Sequence, residues 1–164
     1  MHLLKNNRNG ELCVPKTEFD CFCDGNVLVF NFIAYDSSLL SFSNKDNDDI
    51  WKGNVVEIFL DVGEKDFYYE FEVAPNGATF VAQKYKDKLV FVDKDFFKAK
   101  VETKENSYIV RMEIEIKKIA KNNELLFNAF RCEGDVLEAL SPTLCETFHK
   151  KEKFVILSDF LSKK

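Results

Sequence analysis

A chain of 164 residues that is 46% hydrophobic and 31% charged has the size and composition of one folded domain, residues 1–164, rather than of a disordered segment. Its net charge of −5, with lysines dispersed among Asp and Glu, excludes the basic stripe that phosphate binding needs and therefore a nucleic-acid partner. No apolar run reaches the ~20 residues that cross a bilayer, and residues 1–8 lack the hydrophobic stretch of a secretory signal. The sequence as written thus predicts a cytoplasmic protein without membrane contact. A signal removed upstream would instead make it a secreted one.

In chain order, the first predicted strand carries Cys21 and Cys23, two apart and so on one face. With Cys13, Cys132 and Cys145 they make five cysteines, an odd number at spacings that match no zinc site. They are expected to be buried free thiols in a reducing compartment. Residues 27–35 form a continuous apolar run, the pattern of a strand covered on both sides. The polar loop 41–49 then leads into Trp51, the only tryptophan.

Residues 54–61 alternate Val56, Ile58 and Leu60 against Val55, Glu57 and Phe59. Residues 67–74 alternate Phe67, Tyr69, Phe71 and Val73 against Tyr68, Glu70, Glu72 and Ala74, and end at the turn Pro75-Asn76-Gly77. A hairpin follows over 98–104 and 108–116, turning at Glu105-Asn106-Ser107. Residues 117–121 hint at one helical turn, and strands are expected over 125–132 and 154–160. Many short strands with almost no helix predict an all-β protein, an antiparallel β-sandwich or a barrel. Seventeen phenylalanines suit the pleated, half-buried surfaces of such a core.

The segments Asp49-Ile50-Trp51-Lys52-Gly53-Asn54-Val55-Val56-Glu57-Ile58-Phe59-Leu60-Asp61 and Phe67-Tyr68-Tyr69-Glu70-Phe71-Glu72-Val73-Ala74-Pro75-Asn76-Gly77 set a flat ring beside carboxylates on neighbouring strands. That combination resembles the central motif of the family 9 carbohydrate-binding modules. Asn128-Ala129-Phe130-Arg131-Cys132, Ser141-Pro142 and Phe148-His149, with a final Phe154, continue the resemblance in the same order. It extends from about Tyr35 to the C-terminus. The resemblance implies a jelly-roll-type sandwich that binds a mono- or oligosaccharide without chemistry of its own, in the service of carbohydrate catabolism. It also implies Trp51 as a stacking platform, Glu57 as a polar sugar contact, and a structural calcium. This chain departs from the family pattern in having no second tryptophan, which leaves Tyr35, Phe42 or Tyr85 as the other available rings.

The candidate ligand-binding residues are Trp51, Glu57, Glu70, Asn128 and Arg131, with no catalytic or metal-ligating residue assigned. Trp51 would stack on a pyranose face, although an indole can equally be core. Glu57, flanked by Val55 and Phe59, would accept hydroxyls or pair with Arg131 or Lys52. Glu70 is left open between site and solvent, and Glu72 is read as solvated. Asn128 and Arg131, three apart, point to opposite strand faces. Arg131 could fork onto vicinal hydroxyls or onto Glu57, and Asn128 could serve sugar or backbone. His149 reads as a residue holding the C-terminal crossing in place. Asp46, Asn47, Asp48 and Asp49 offer the hard oxygens that calcium prefers, without the spacing of an EF-hand.

Three other functions compete. A glycoside-processing enzyme could draw on paired glutamates among Glu57, Glu70 and Glu72. A haem domain would need His149 with Met112 or a lysine, but Met112 alternates with core residues. A structural or partner-binding sandwich would keep the fold and lack the sugar site.

Overall fold

The computed structural model describes residues 1–122 and 124–163. Thirteen strands run in order as β1 (His2–Leu3), β2 (Lys5–Asn6), β3 (Thr17–Asp24), β4 (Val27–Ala34), β5 (Val55–Asp61), β6 (Phe67–Val73) and β7 (Thr79–Tyr85). They continue as β8 (Leu89–Phe91), β9 (Phe97–Thr103), β10 (Tyr108–Glu115), β11 (Leu126–Glu133), β12 (Val136–Ala139) and β13 (Val155–Ile156). The helical content described is four single 3-10 turns. One sheet has the order β1-β3-β4-β10-β9, and the other β2-β12-β11-β5-β6-β7-β8, with β13 added beside β11. Every ladder between named strands is antiparallel, so the sandwich expected from the sequence is the fold.

Strand alternation decides what fills the sandwich. Val56, Ile58 and Leu60 of β5, Tyr69, Phe71 and Val73 of β6, and Phe127 and Ala129 of β11 face inward. They meet Phe19, Phe30, Phe32, Val110, Met112 and Ile114 from the other sheet. Phe127 lies 5.9 Å from Phe19 and 5.8 Å from Phe30, centroid to centroid, so aromatic rings bridge the two layers. Met112 is fully enclosed in this core, away from His149.

β5 is buried along its whole length because it is central in its sheet and covered on both faces. Its outer face carries Val55, Glu57 and Phe59, and this second face builds the site.

Two expected elements differ. The strand predicted over 154–160 is reduced to Val155–Ile156, followed by a 3-10 turn at Leu157–Asp159. β12 already pairs with Phe130–Glu133 of β11, leaving an edge only at Leu126 and Phe127 for β13. The helical turn lies at Ile116–Lys118, so β10 ends one residue earlier than expected. The five cysteines are free, as expected, but only Cys21 is buried: Cys13, Cys132 and Cys145 are partly exposed and Cys23 is exposed. It sits at the hairpin end of β3, where the covering sheet no longer reaches, while Cys21 on the same face is enclosed.

Candidate functional site

The site begins with the loop before β5. Asp46 accepts the Thr79 N–H at 2.9 Å and pairs with Lys94 at 2.5 Å, and Asn47 accepts the Val81 N–H at 2.9 Å. Asp48 accepts the N–H of Asp49, and Asp49 pairs with Lys52 at 2.7 Å. The oxygens read as calcium ligands therefore hold the loop onto β7 and close its own turn.

A 3-10 turn at Ile50–Lys52 then buries Ile50 as a plug and turns Trp51 outward, 49% exposed. Gly53 is required at the end of this turn. A Cβ there would stand 2.6 Å from the Phe42 nitrogen and 2.9 Å from the Leu40 oxygen, closer than any real contact. With glycine, Asn54 N–H reaches Leu40 O at 2.7 Å, and the entry to β5 is fixed. The Lys52 ammonium lies 5.5 Å from the Trp51 ring and 5.3 Å from the Phe42 ring, drawing both aromatics to one rim.

Beside this rim is a cleft of about 490 Å³, lined by Trp51, Lys52 and Gly53, by Glu57, Phe59, Glu70, Glu72 and Cys132 on its floor, and by Phe80 and Leu89 from β7 and β8. Leu137 and the segment Glu146-Thr147-Phe148-His149 complete it on the β11–β12 side. Phe148 stacks on Phe130 at 4.2 Å and His149 on Phe59 at 4.9 Å, so this segment is laid over the sheet by aromatic contacts. The Tyr68 hydroxyl and His149 Nδ1 are 2.6 Å apart. Burial pushes the imidazole down to about 4, with Lys84 adding to the effect, so His149 is neutral at pH 7. Burial pushes the Tyr68 phenol up, so it keeps its proton and can donate to Nδ1.

The floor is the unusual part. Register sets Glu57 of β5 opposite Glu72 of β6, and Phe59 opposite Glu70. Three carboxyl groups consequently share one patch, with one oxygen from each within 4.8 Å of the others. All three are buried, at 3%, 5% and 1% exposure for Glu57, Glu70 and Glu72. Glu57 Oε1 accepts from the Cys132 thiol at 3.4 Å, whereas Glu70 Oε2 and Glu72 Oε2 have no hydrogen-bond partner. Among the described residues, none of the ion pairs involves these three groups.

Burial raises the pKa of each, and mutual repulsion raises Glu57 and Glu72 further. Glu70 is also raised by burial, against the opposing pull of Glu72 and Lys84. Glu57, pushed up to about 8, keeps its proton at neutral pH, so the floor offers a hydroxyl donor as well as carboxyl acceptors.

Of the residues singled out from sequence, Trp51, Glu57 and Glu70 converge on this cleft. Glu72 joins them, and its expected solvation is overturned: β6 is interior to its sheet, between β5 and β7, and its outer face forms the floor of a cleft walled by residues 51–53 and 146–149. Asn128 is fully buried and serves backbone, donating to Ser141 O at 2.7 Å and accepting from Ser141 N at 3.0 Å. Arg131 lies on the opposite face of β11, inside the sandwich, which precludes the Arg131–Glu57 pair. It donates to Lys16 O, Thr17 Oγ1 and Tyr35 O, and pairs with Glu133 at 2.9 Å and Glu138 at 3.6 Å.

Cleft residues not foreseen from the sequence are Cys132, Phe80, Leu89, Leu137 and Thr147. Only Cys132 carried a usable signal, sharing its strand face with Asn128. His149 holds the crossing as expected and also lines the cleft. Among the available rings, Phe42 is at the rim, while Tyr85 lines a neighbouring recess of about 300 Å³ with Lys84, Lys86 and Lys151.

The sequence pattern described as Carbohydrate-binding family 9 matches residues 6–89, half of the chain. A protein of Arthroderma benhamiae described as an extracellular protein is 40% identical over 75 residues, which are 43% of this chain and 34% of that protein. The chain thus matches about a third of the length of that relative. Among solved structures, a candidate carbohydrate-binding protein from Bacteroides uniformis superposes with a TM-score of 0.80 at 16% identity, covering 94% of this chain and 84% of that one. A family 9 carbohydrate-binding module from Caldicellulosiruptor kristjanssonii in complex with glucose gives 0.67 at 16% identity, covering 93% and 81%. The cellotriose complex of a module from the same organism gives 0.59 at 16% identity, covering 89% and 72%. The fold is common to these three solved structures and this chain.

Proposed function

The chain belongs to carbohydrate-binding family 9, and from that premise we propose that the Trp51 cleft binds a mono- or oligosaccharide without transforming it. The observation that carries this reading is a half-exposed indole on the rim of a cleft whose floor is three buried carboxyl groups. The C–H face of a pyranose packs on an indole, and its hydroxyls need donors and acceptors held in fixed positions. Glu57, Glu70 and Glu72 supply both, because the proton kept on Glu57 can be donated while the other carboxyl oxygens accept. Phe80 and Leu89 supply an apolar wall, and His149, clamped by Tyr68, gives a neutral polar edge.

Arg131 and Asn128 are not used. The two terminal nitrogens of Arg131 and the Asn128 amide are engaged with the fold, and Trp51, Glu57, Glu70 and Glu72 make the contacts. The glycosidase reading is weaker on a specific point. Such enzymes hold one carboxyl as acid and leave the other ionised, with their pKa values apart. Here all three are shifted in one direction by the same burial.

Trp51 is its own reporter. Its emission should shift saturably during titration with a panel including glucose and cellotriose, the sugars held by the two Caldicellulosiruptor modules. The shift should vanish in Trp51→Ala, a variant expected to fold because the ring is at the rim. No saturable response by emission or calorimetry across neutral, acidic and amino sugars would remove this function.

A further inference from the structure

We propose that Glu57, Glu70 and Glu72 form a divalent-cation site on the cleft floor, filled by Ca²⁺, whose outward coordination positions are taken by sugar hydroxyls. The hydroxyl contact rests on the carbohydrate reading above, and the cation site does not. Three carboxylate oxygens no more than 4.8 Å apart leave a central point about 2.8 Å from each. An inward shift of a few tenths of an ångström reaches the ~2.3–2.6 Å of calcium–oxygen bonds.

The second observation is independent of the clustering. Glu70 Oε2 and Glu72 Oε2 are buried without a hydrogen-bond partner. A native fold rarely leaves such atoms orphaned, and a bound ion is one of the few arrangements that satisfies them.

The donor set selects the ion. Oxygen donors and no imidazole suit a hard cation. Three carboxylates that can each bind through one or two oxygens fit the 6–8-fold shell of Ca²⁺ better than the strict octahedron of Mg²⁺. The floor opens to the Trp51 side of the cleft, so the remaining positions are accessible to a ligand. The loop Asp46–Asp49 differs in this respect, since its oxygens already have protein donors.

The test uses chelator-treated protein at fixed pH. Calorimetry with CaCl₂ should give one site with a dissociation constant at or below about 1 mM. Tb³⁺ should replace Ca²⁺ and luminesce on excitation of Trp51. Glu72→Gln and Glu70→Gln, each first shown to melt cooperatively, should weaken uptake by at least about tenfold through loss of a charged ligand. Sugar affinity should be at least about tenfold higher in Ca²⁺ than in chelator.

Absence of saturable uptake, or uptake unchanged in both variants, overturns the cation site. Sugar binding that is equal in Ca²⁺ and in chelator overturns the bridging role and leaves the carbohydrate reading standing. Uptake of Ca²⁺ with no sugar binding under either condition supports the cation site and removes the carbohydrate reading.

Discussion

Two buried charged clusters lie on opposite faces of the same sheet, and they solve the cost of burial in different ways. Inside the sandwich, Arg131 sits between Glu133 and Glu138, and register places Arg131 directly across from Glu138. Thr17 Oγ1 donates to Glu138 at 2.6 Å, and Glu133 takes Ser37, Ser38 and Asn54. A cation and a ring of donors thus surround the acids and tie β3, β11, β12 and the Tyr35 loop together. On the outer face, Glu57, Glu70 and Glu72 have each other and one thiol, and among the described residues they form no ion pair. In the cluster that supports the fold every carboxylate has a cation and donors from the protein, and the one unpartnered guanidinium nitrogen, Arg131 Nε, is enclosed inside the sandwich. A cluster whose oxygens point into a cleft without partners is the one suited to a ligand.

The sharpest way to break this comparison is to remove the cation of the inner cluster. Arg131→Leu leaves two buried carboxylates uncompensated and should cost about 3–5 kcal/mol in chemical denaturation. Sugar binding should disappear only as far as the fold does.

The opposite substitution on the outer face should behave in the opposite sense. Glu72→Gln removes a buried group that repels its neighbours, and metal-free protein should gain about 1–2 kcal/mol. The same variant should lose sugar affinity, and a stable protein that still binds fully would detach the cluster from function.

The pH dependence sharpens the contrast further. Burial and Glu70 raise Glu57 from 4.5 to about 8 in the fold. A raised carboxyl contributes stability that is present below the unfolded value and lost as pH climbs through the folded one. His149 acts with the other sign, being lowered from 6.5 to about 4, so its contribution is lost as pH falls across that interval. The groups facing Glu57 and Glu72 are Glu70, the Cys132 thiol, Asp49 and Tyr68, with Lys84 acting on Glu70 and His149. Metal-free protein should therefore lose melting temperature between about pH 6.5 and 8.5, and Glu72→Gln should lose less.

The smallest effect on stability belongs to the rim. Trp51→Ala should change the unfolding free energy by no more than about 0.5 kcal/mol. Its sugar affinity should nevertheless fall by about tenfold, the size of one aromatic stacking contact. A large destabilisation would mean that the indole supports the fold.

Much of this was legible in the chain. Alternation over residues 54–61 and 67–74 placed Glu57, Glu70 and Glu72 on the faces opposite Val56, Ile58, Phe71 and Val73, because side-chain direction in a strand is a local property with period two. The same parity separated Asn128 from Arg131, and the polar run before Trp51 marked the rim. Sequence did not decide which strands distant in the chain would be neighbours. The register of Glu57 against Glu72 is set by the pairing of β5 with β6, while the covering of that face by residues 146–149 and the closure of Arg131 against Lys16 and Tyr35 join residues far apart in the chain. The sequence by itself determined the alternation of each strand. Only tertiary structure decided which face became core and which became cleft, because burial and the pKa shifts it causes depend on what packs from elsewhere.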